Sequence, residues 1–375
     1  MHDKKDSTSS CCDTAQETSV EQSCCGSPSA DSSTIEELKT IIHVDSEWRA
    51  SDYWGRIKAR SGSFRNKYMV SPGLYKIGNP HKKSDVFVTA NYKLTFDILR
   101  RELKGIDGWI LVLDTKGINV WCAAGKGTFG TDELVRRIKV TDLEKVVTHR
   151  RLIVPQLGGV GIKAHVVKEE SGFYVHYGPV EASDISAYLE AGRKASKEMR
   201  LIKFNWLDRL ILTPIELNAV MRKFGIYALL VLAYFGIDRS GILFHKAWYE
   251  GLLFVGLGLL SVLTGAFITP LFLPFIPSRS FAIKGWITGM AAILAISITT
   301  GLTAGVSSVL IIFSFLFFPL VSSYLALQFT GSTTYTNMSG VIKELKYAFP
   351  IYKAGFIISL LLLIGQKALE WRLIS

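Results

Sequence analysis

The sequence predicts an α/β domain of Rossmann-like type followed by an all-α domain of five transmembrane helices. Strand-like and helix-like segments alternate from Thr34 to about Lys203, the pattern of a parallel sheet with crossover helices. No charged residue stands between Lys284 and Lys343, and the C-terminal part holds several apolar runs of bilayer-crossing length, about 20 residues each. Residues 1–33 are rich in Ser, Thr and Asp and poor in large apolar side chains, so they cannot bury enough surface to fold. The expected divisions are a disordered tail over 1–33, a soluble domain over 34–203 and a membrane domain over 204–375.

Each element follows from local pattern. DVFVTA (Asp85–Ala90) and WILVLDT (Trp109–Thr115) read as buried strands, with YKLTFDILRRELKG (Tyr92–Gly105) a helix between them. In GTDELVRRIKV, Thr131 is placed to cap a helix whose apolar stripe is Leu134, Val135 and Ile138. RRLIVPQLG (Arg150–Gly158), IKAHVVKEESGFYVHYGPV (Ile162–Val180) and a helix in ASDISAYLEAG (Ala182–Gly192) complete the alternation.

Sheets of this kind bind ligands at the carboxyl ends of their strands. NVWCAAGK (Asn119–Lys126) follows WILVLDT and so lies at or beyond such an end. Gly117, Gly125 and Gly127 allow tight turns and close approach. Ala123 and Ala124 keep the surface shallow, so that a large planar molecule can come close to Cys122. On spacing alone Cys122 reads first as a small core hydrophobe, the commonest place for a lone cysteine beside a tryptophan. Trp121 either shields a ligand or joins the core, Asn119 fits turn chemistry, and Lys126 either pairs with a ligand or is simply solvated. Thr89 and Asn91 at the end of DVFVTA, and Pro155, Gln156, Leu157 and Gly158 after RLIV, occupy two further strand ends.

The cysteines divide sharply. Cys11-Cys12 and Cys24-Cys25 are vicinal pairs in the tail, and Cys122 stands alone in the soluble domain. Vicinal thiols are soft ligands without the CxxC spacing of a structural zinc site. No Walker A loop and no HExxH motif occurs, so neither P-loop nucleotide chemistry nor zincin hydrolysis is indicated. No apolar h-region opens the chain, so nothing suggests that the soluble domain is exported.

NVWCAAGKG is similar to the cap-helix motif of the HgcA family of mercury-methylating corrinoid proteins, relatives of the corrinoid iron–sulfur proteins of the acetyl-CoA pathway. VFVTANYKLTFD (Val86–Asp97), VPQLGGVGIKAHVVKEESGFYVHYGPV (Val154–Val180) and QFTGSTTYTNMSGVIKEL (Gln328–Leu345) resemble further stretches of that family. The likeness extends over Lys82–Lys203, and five membrane spans fit it. It implies a corrinoid-binding domain holding cobalamin or a related corrinoid, with Cys122 as catalytic residue and thiolate lower ligand of the cobalt. The cofactor contacts implied are Thr89, Asn91, Asn119, Val120, Trp121, Cys122, Ala123, Gly125, Lys126, Pro155, Gln156, Leu157 and Gly158. The D-x-H-x-x-G motif of other cobalamin proteins is absent.

The resemblance further implies a methyltransferase that passes a methyl group from methyl-Co(III) to inorganic Hg(II), forming methylmercury. A thiolate trans to the methyl group favours its departure as a carbanion or radical, which Hg(II) can accept. The partners implied are a ferredoxin-like iron–sulfur protein, HgcB, as reductant and mercury donor, and a methyltransferase or corrinoid iron–sulfur protein as methyl donor. Nucleic acid is not among them. Two other readings stay open: a membrane-bound corrinoid methyl carrier for one-carbon or acetyl-CoA metabolism, and a transporter with a soluble regulatory domain.

The spans are expected at about 217–237, 251–276, 285–304, 306–330 and 351–369. Arg222, Lys223, Lys353 and Lys367 fall inside or at the edges of these and must snorkel. Arg193, Lys194, Lys197, Arg200, Lys203 and Arg209 precede the first span, which favours a soluble domain on the cytoplasmic side of the inner membrane. The loop Thr330–Phe349 then returns to that side. No expected span contains Cys or His, so the membrane half reads as anchor and scaffold rather than a route for a soft cation. The tail pairs Cys11, Cys12, Cys24 and Cys25 are candidates for mercury capture. Replacing all four by serine is expected to leave corrinoid binding intact and to weaken methylation only at low mercury; loss of corrinoid colour from the quadruple variant would make the tail part of the fold.

Overall fold

The computed structural model describes residues 41–301, 305–336 and 338–371. The tail, with Cys11, Cys12, Cys24 and Cys25, lies outside the described residues. The N-terminal part is a mixed α/β domain and the C-terminal part a bundle of five long apolar helices.

Six strands form the sheet: β1 (Ile42–Val44), β2 (Gly73–Ile77), β3 (Val86–Ala90), β4 (Gly108–Leu113), β5 (Arg151–Val154) and β6 (Tyr174–Tyr177), in the order β1-β2-β4-β3-β5-β6. β4, β3, β5 and β6 run parallel. Every residue of β3 and β4 is buried, as expected where helices cover both faces of a parallel sheet. Alternation sends Val86, Val88, Leu111 and Leu113 to one core and Phe87, Ile110 and Val112 to the other.

The sheet departs from the wholly parallel expectation at β2, which pairs antiparallel with β4, Leu74 opposite Leu111. The reason lies in the connection. A parallel entry needs a crossover of about a dozen residues or more, whereas the short link from Ile77 to Val86 contains no helix. Thr131 departs as well: Gly130 is the cap, and Thr131 opens helix α4. Its hydroxyl instead accepts the Lys163 N–H at 2.9 Å.

The helices of this domain are α1 (Ala50–Ser61), α2 (Lys93–Glu102), α3 (Val120–Lys126), α4 (Thr131–Val140), α5 (Ala164–Ser171) and α6 (Ile185–Glu190). Ion pairs dock α1 on α2. Arg100 binds Asp52 at 2.7 Å and Asp97 at 2.8 Å, and Lys93 bridges the same carboxylates at 2.8 and 2.6 Å. Arg100 also donates to the carbonyls of Asp45 and Glu47, at 2.6 and 2.9 Å. Burial alone would raise the Asp52 carboxyl. The Lys93 hydrogen bond, the Arg49 backbone N–H and the charges of Lys93 and Arg100 outweigh it and hold Asp52 below the ordinary carboxylate value.

In the membrane half, α7 (Trp206–Gly236), α8 (Phe244–Leu263, continued by a π turn at Thr264–Ile268), α9 (Phe281–Thr300), α10 (Ser308–Gln328) and α11 (Met338–Glu370) alternate in direction. Tyr335 meets Arg209 at 3.3 Å at the end where the chain enters, and Ser307 meets Gln366 at 2.7 Å at the other. Close contact joins α9 and α10. A Cβ on Gly285 would lie 2.8 Å from the Ser322 carbonyl, and one on Gly289 would lie 2.7 Å from the Ser322 side chain. Ser322 Oγ donates to the Gly285 carbonyl at 2.8 Å and Ser323 Oγ to that of Ala282 at 2.7 Å. Small residues that let backbones approach, joined by hydroxyl bonds, are what holds helices together in lipid.

The first and last helices begin before their expected spans. Asn205 and Asp208 cap each other at the start of α7, with bonds of 3.0 and 3.1 Å. Much of the expected loop Thr330–Phe349 is the first part of α11. Hydropathy registers only the lipid-facing length, and both helices run past it.

Arg100→Met should leave two buried carboxylates with Lys93 alone and cost about 3–5 kcal/mol. The sign of the pH effect follows from the depressed Asp52. Its stabilisation is fully present above the unfolded value near 3.8 and is lost as pH falls through the lower folded value. Hydrogen exchange over residues 50–61 should therefore stay slow to below pH 3.8 in the wild type and be fast at neutral pH in Arg100→Met; equal protection in the two proteins would remove the ion pairs from the docking.

Candidate functional site

β3, β4, β5 and β6 present their carboxyl ends at one edge of the sheet. There the chain leaves β4 and turns through Lys116 and Gly117, both left-handed, with φ of 57° and 69°. Asn91, the residue after β3 and 2% exposed, holds this turn. Its Oδ1 accepts the N–H groups of Thr115 and Gly117 at 3.1 and 2.9 Å and the Thr115 hydroxyl at 2.8 Å. Its Nδ2 donates to Asp114 at 3.3 Å. Burial pushes the Asp114 carboxyl up, but the Lys116 ammonium and backbone N–H, with Arg137 beyond, bring it below its usual value. Glu133 ties the turn to α4: it accepts the Asp114 N–H at 2.8 Å and pairs with Arg137 at 2.7 Å.

Helix α3 starts from that turn and is fixed at both ends. Asn119 Oδ1 accepts the Cys122 N–H at 3.0 Å, a side-chain N-cap. Gly127, at φ 80°, closes the other end in the left-handed region. Val120, Ala123 and Ala124 face the core. The outward face carries Trp121, Gly125 and Lys126, all exposed, with Cys122 half-buried. A Cβ on Gly125 would meet nothing within 4 Å, so this face is open. From below, the loop after β5 supports the helix. A Cβ on Gly161 would collide with the Phe129 carbonyl and press on Ala124.

A cleft of about 260 Å³ lies between α3 and the strand ends. It brings together Thr89, Asn119, Val120, Trp121, Pro155 and Leu157 from the expected set. Cys122, Gly125 and Lys126 are on the outward face of α3 rather than in the cleft. Four further expected contacts do not line it either. Asn91 spends its carboxamide on the turn, and Ala123 and Gly158 are enclosed, Gly158 directly under the Phe129 ring. Gln156 is next to it in sequence only, with its Oε1 buried and without a protein donor. The cleft also uses Gly178, Pro179 and Val180, together with Ile98 and Ile185. The rule that selected Pro155 after β5 applied equally to GPV after YVHY.

Residues 64–189 match the family model described as CO dehydrogenase/acetyl-CoA synthase delta subunit. The chain is 34% identical over 131 residues to the acetyl-CoA decarbonylase/synthase complex subunit gamma of Archaeoglobus fulgidus and 35% identical over 128 residues to that of Methanopyrus kandleri. It is 32% identical over 124 residues to the corrinoid/iron–sulfur protein large subunit of Moorella thermoacetica. These matches cover 34%, 34% and 32% of this chain and 27% of each relative. The soluble domain is thus homologous to this group of subunits, and the chain spans about a quarter of their length. The matched stretch contains α3 and the whole cleft.

Asn91→Ala should leave the Thr115 and Gly117 N–H groups buried and unpaired, at about 1–3 kcal/mol each. The expected result in the full-length protein is faster hydrogen exchange across residues 113–127 with little change in α5; unchanged exchange there would mean the turn is held by other bonds.

Proposed function

We propose that the protein is a membrane-anchored corrinoid protein that takes up and passes on methyl groups in one-carbon metabolism. The observation that carries this reading is the open outward face of α3, with a cysteine on it, beside a cleft at the carboxyl edge of a sheet homologous to a named corrinoid/iron–sulfur subunit. The cleft, at about 260 Å³, has room for one edge group of a macrocycle, and the residues of α3 would hold the rest. Gly125, without a side chain, leaves room for it.

A bound corrinoid supplies the cobalt that accepts and releases the methyl group. The chain's own residues set the terms. Cys122 offers a thiolate to the metal, and Asn119 fixes the first turn on which it sits. Trp121 and Leu157, both lining the cleft, would keep water from the group it holds. Thr89 and Pro155 shape the strand edge.

For the methyl acceptor we propose inorganic Hg(II), on the likeness of NVWCAAGKG to the mercury-methylating motif and on the chemistry of a thiolate ligand, which favours transfer of methyl as an anion or radical. The names of the homologous subunits support the broader reading of a methyl carrier for acetyl-CoA metabolism. A ferredoxin-like reductant and a separate methyl donor fit either reading. The basic residues between Arg193 and Lys203 ahead of α7, with Arg209 in its first turns, support a cytoplasmic placement of the α/β domain.

The full-length protein in nanodiscs, reconstituted with cobalamin, should take on corrinoid colour; a folded, colourless product would overturn the assignment. Cys122→Ala should keep the colour but lose the thiolate–cobalt absorption and nearly all methylmercury formation with reductant and methyl donor supplied. Cys122→His should be badly impaired although imidazole can coordinate. Near-wild-type methylation by Cys122→Ala would make the sulfur a packing group, and coloured wild type that forms no methylmercury would favour the carrier role.

A further inference from the structure

Helix α1 has two unlike sides. Asp52, Gly55 and Ala59 face inward, Gly55 so closely under Tyr68 that a Cβ would overlap the ring. The other side leaves Tyr53, Trp54 and Ile57 53%, 63% and 56% exposed, and Phe64 in the turn that follows 40% exposed. Large apolar side chains grouped on a surface mark a contact. Lys58 and Lys67 stand exposed beside them, with Arg56, Arg60 and Arg65 half-buried. The acid of the helix, Asp52, is already paired inside the domain.

The height of this face relative to the bundle says what covers it. At the C-terminal end of α1, the Ser61 carbonyl accepts from the Asn218 side chain of α7. A Cβ on Gly62 would lie 3.0 Å from Arg222 Nη2 of the same helix. From Asn218 to its far end at Gly236, α7 rises about 27 Å at 1.5 Å per residue, close to the hydrocarbon thickness of about 30 Å. Asn218 is therefore at headgroup level on the near side, and so is the end of α1 bonded to it. Trp54, Ile57 and Ser61 follow one another at helical spacing, so the apolar stripe runs toward the lipid boundary of α7.

We propose that α1 and the turn Ser63–Lys67 lie on the bilayer as an interfacial helix, with Trp54 and Ile57 seated among the headgroups and the surrounding cations binding anionic phospholipid. A basic helix with Trp and Ile on one face suits the interface plane, Trp and Tyr settle at headgroup depth, and cations near an anionic surface are drawn to it. Because α1 is ion-paired to α2, this contact gives the soluble domain a second hold on the membrane and fixes the direction in which its cleft faces.

The test uses the full-length protein in nanodiscs of phosphatidylcholine with and without phosphatidylglycerol, and reads Trp54 as wild-type fluorescence minus that of Trp54→Phe. The Trp54 component should be blue-shifted, lose most of its intensity to lipids brominated high on the acyl chain, and resist aqueous iodide. Phosphatidylglycerol should slow hydrogen exchange of residues 50–61, and Ile57→Asp or the pair Lys58→Glu with Arg60→Glu should abolish that gain while the rest of the domain exchanges as before. A Trp54 component quenched freely by iodide and untouched by brominated chains would overturn the proposal and leave the face to a protein partner. Exchange of residues 50–61 that ignores phosphatidylglycerol would overturn the anionic-lipid part.

Discussion

The carboxamide of Asn91 links the end of β3 to the turn after β4, and the placing of α3 depends on that link. Lys116 and Gly117 are left-handed in succession; the Lys116 N–H donates to Asp114, while Asn91 Oδ1 accepts that of Gly117 together with that of Thr115. A residue without a fixed acceptor at this point would leave donors buried and unpaired. Since α3 starts at Val120, any shift of the turn moves Cys122. Glu133 holds the same turn from the other side through the Asp114 N–H, so β3 and α4 set the helix's position together.

Three kinds of cohesion operate in one chain. The sheet is held by apolar burial on both faces, which requires water as the alternative environment. Helix α1 is held by two buried carboxylates shared between two cations, a network that tolerates burial because its members are all paired. The bundle cannot rely on apolar burial, since lipid is as apolar as leucine. It relies on the fit of Gly285 and Gly289 to Ser322 and on hydroxyl bonds to backbone carbonyls.

Much of this was readable from residue order, and the exceptions have physical causes. VFVTA and WILVL read as strands because a strand buried on both faces is an unbroken apolar run. The stripe Leu134, Val135, Ile138 read as a helix because its period is helical, and all three are buried. The direction of β2 did not read, because it is set by the length of a connection rather than by the strand. Helix α1 escaped notice since its inward stripe is Asp52, Gly55 and Ala59 and its large apolar residues point outward. Asn91 was legible as important but not in kind, because a cofactor contact and a turn anchor call for the same residue at a strand end. For Cys122, residue type could not separate core from surface; the phase of α3, with Val120 and Ala123 inward, does.

That phase has an evolutionary corollary. The stability of α3 resides in Asn119, Gly127 and the inward trio Val120, Ala123 and Ala124, none of which is position 122. The side chain at 122 fills no core cavity, and its own backbone N–H is satisfied by Asn119 whatever that side chain is. Selection can therefore exchange the group presented there without re-solving the folding problem. Under the proposed role, the helix is a socket in which the atom presented at 122 is interchangeable, and a lineage could change its chemistry in a single step while keeping the same scaffold.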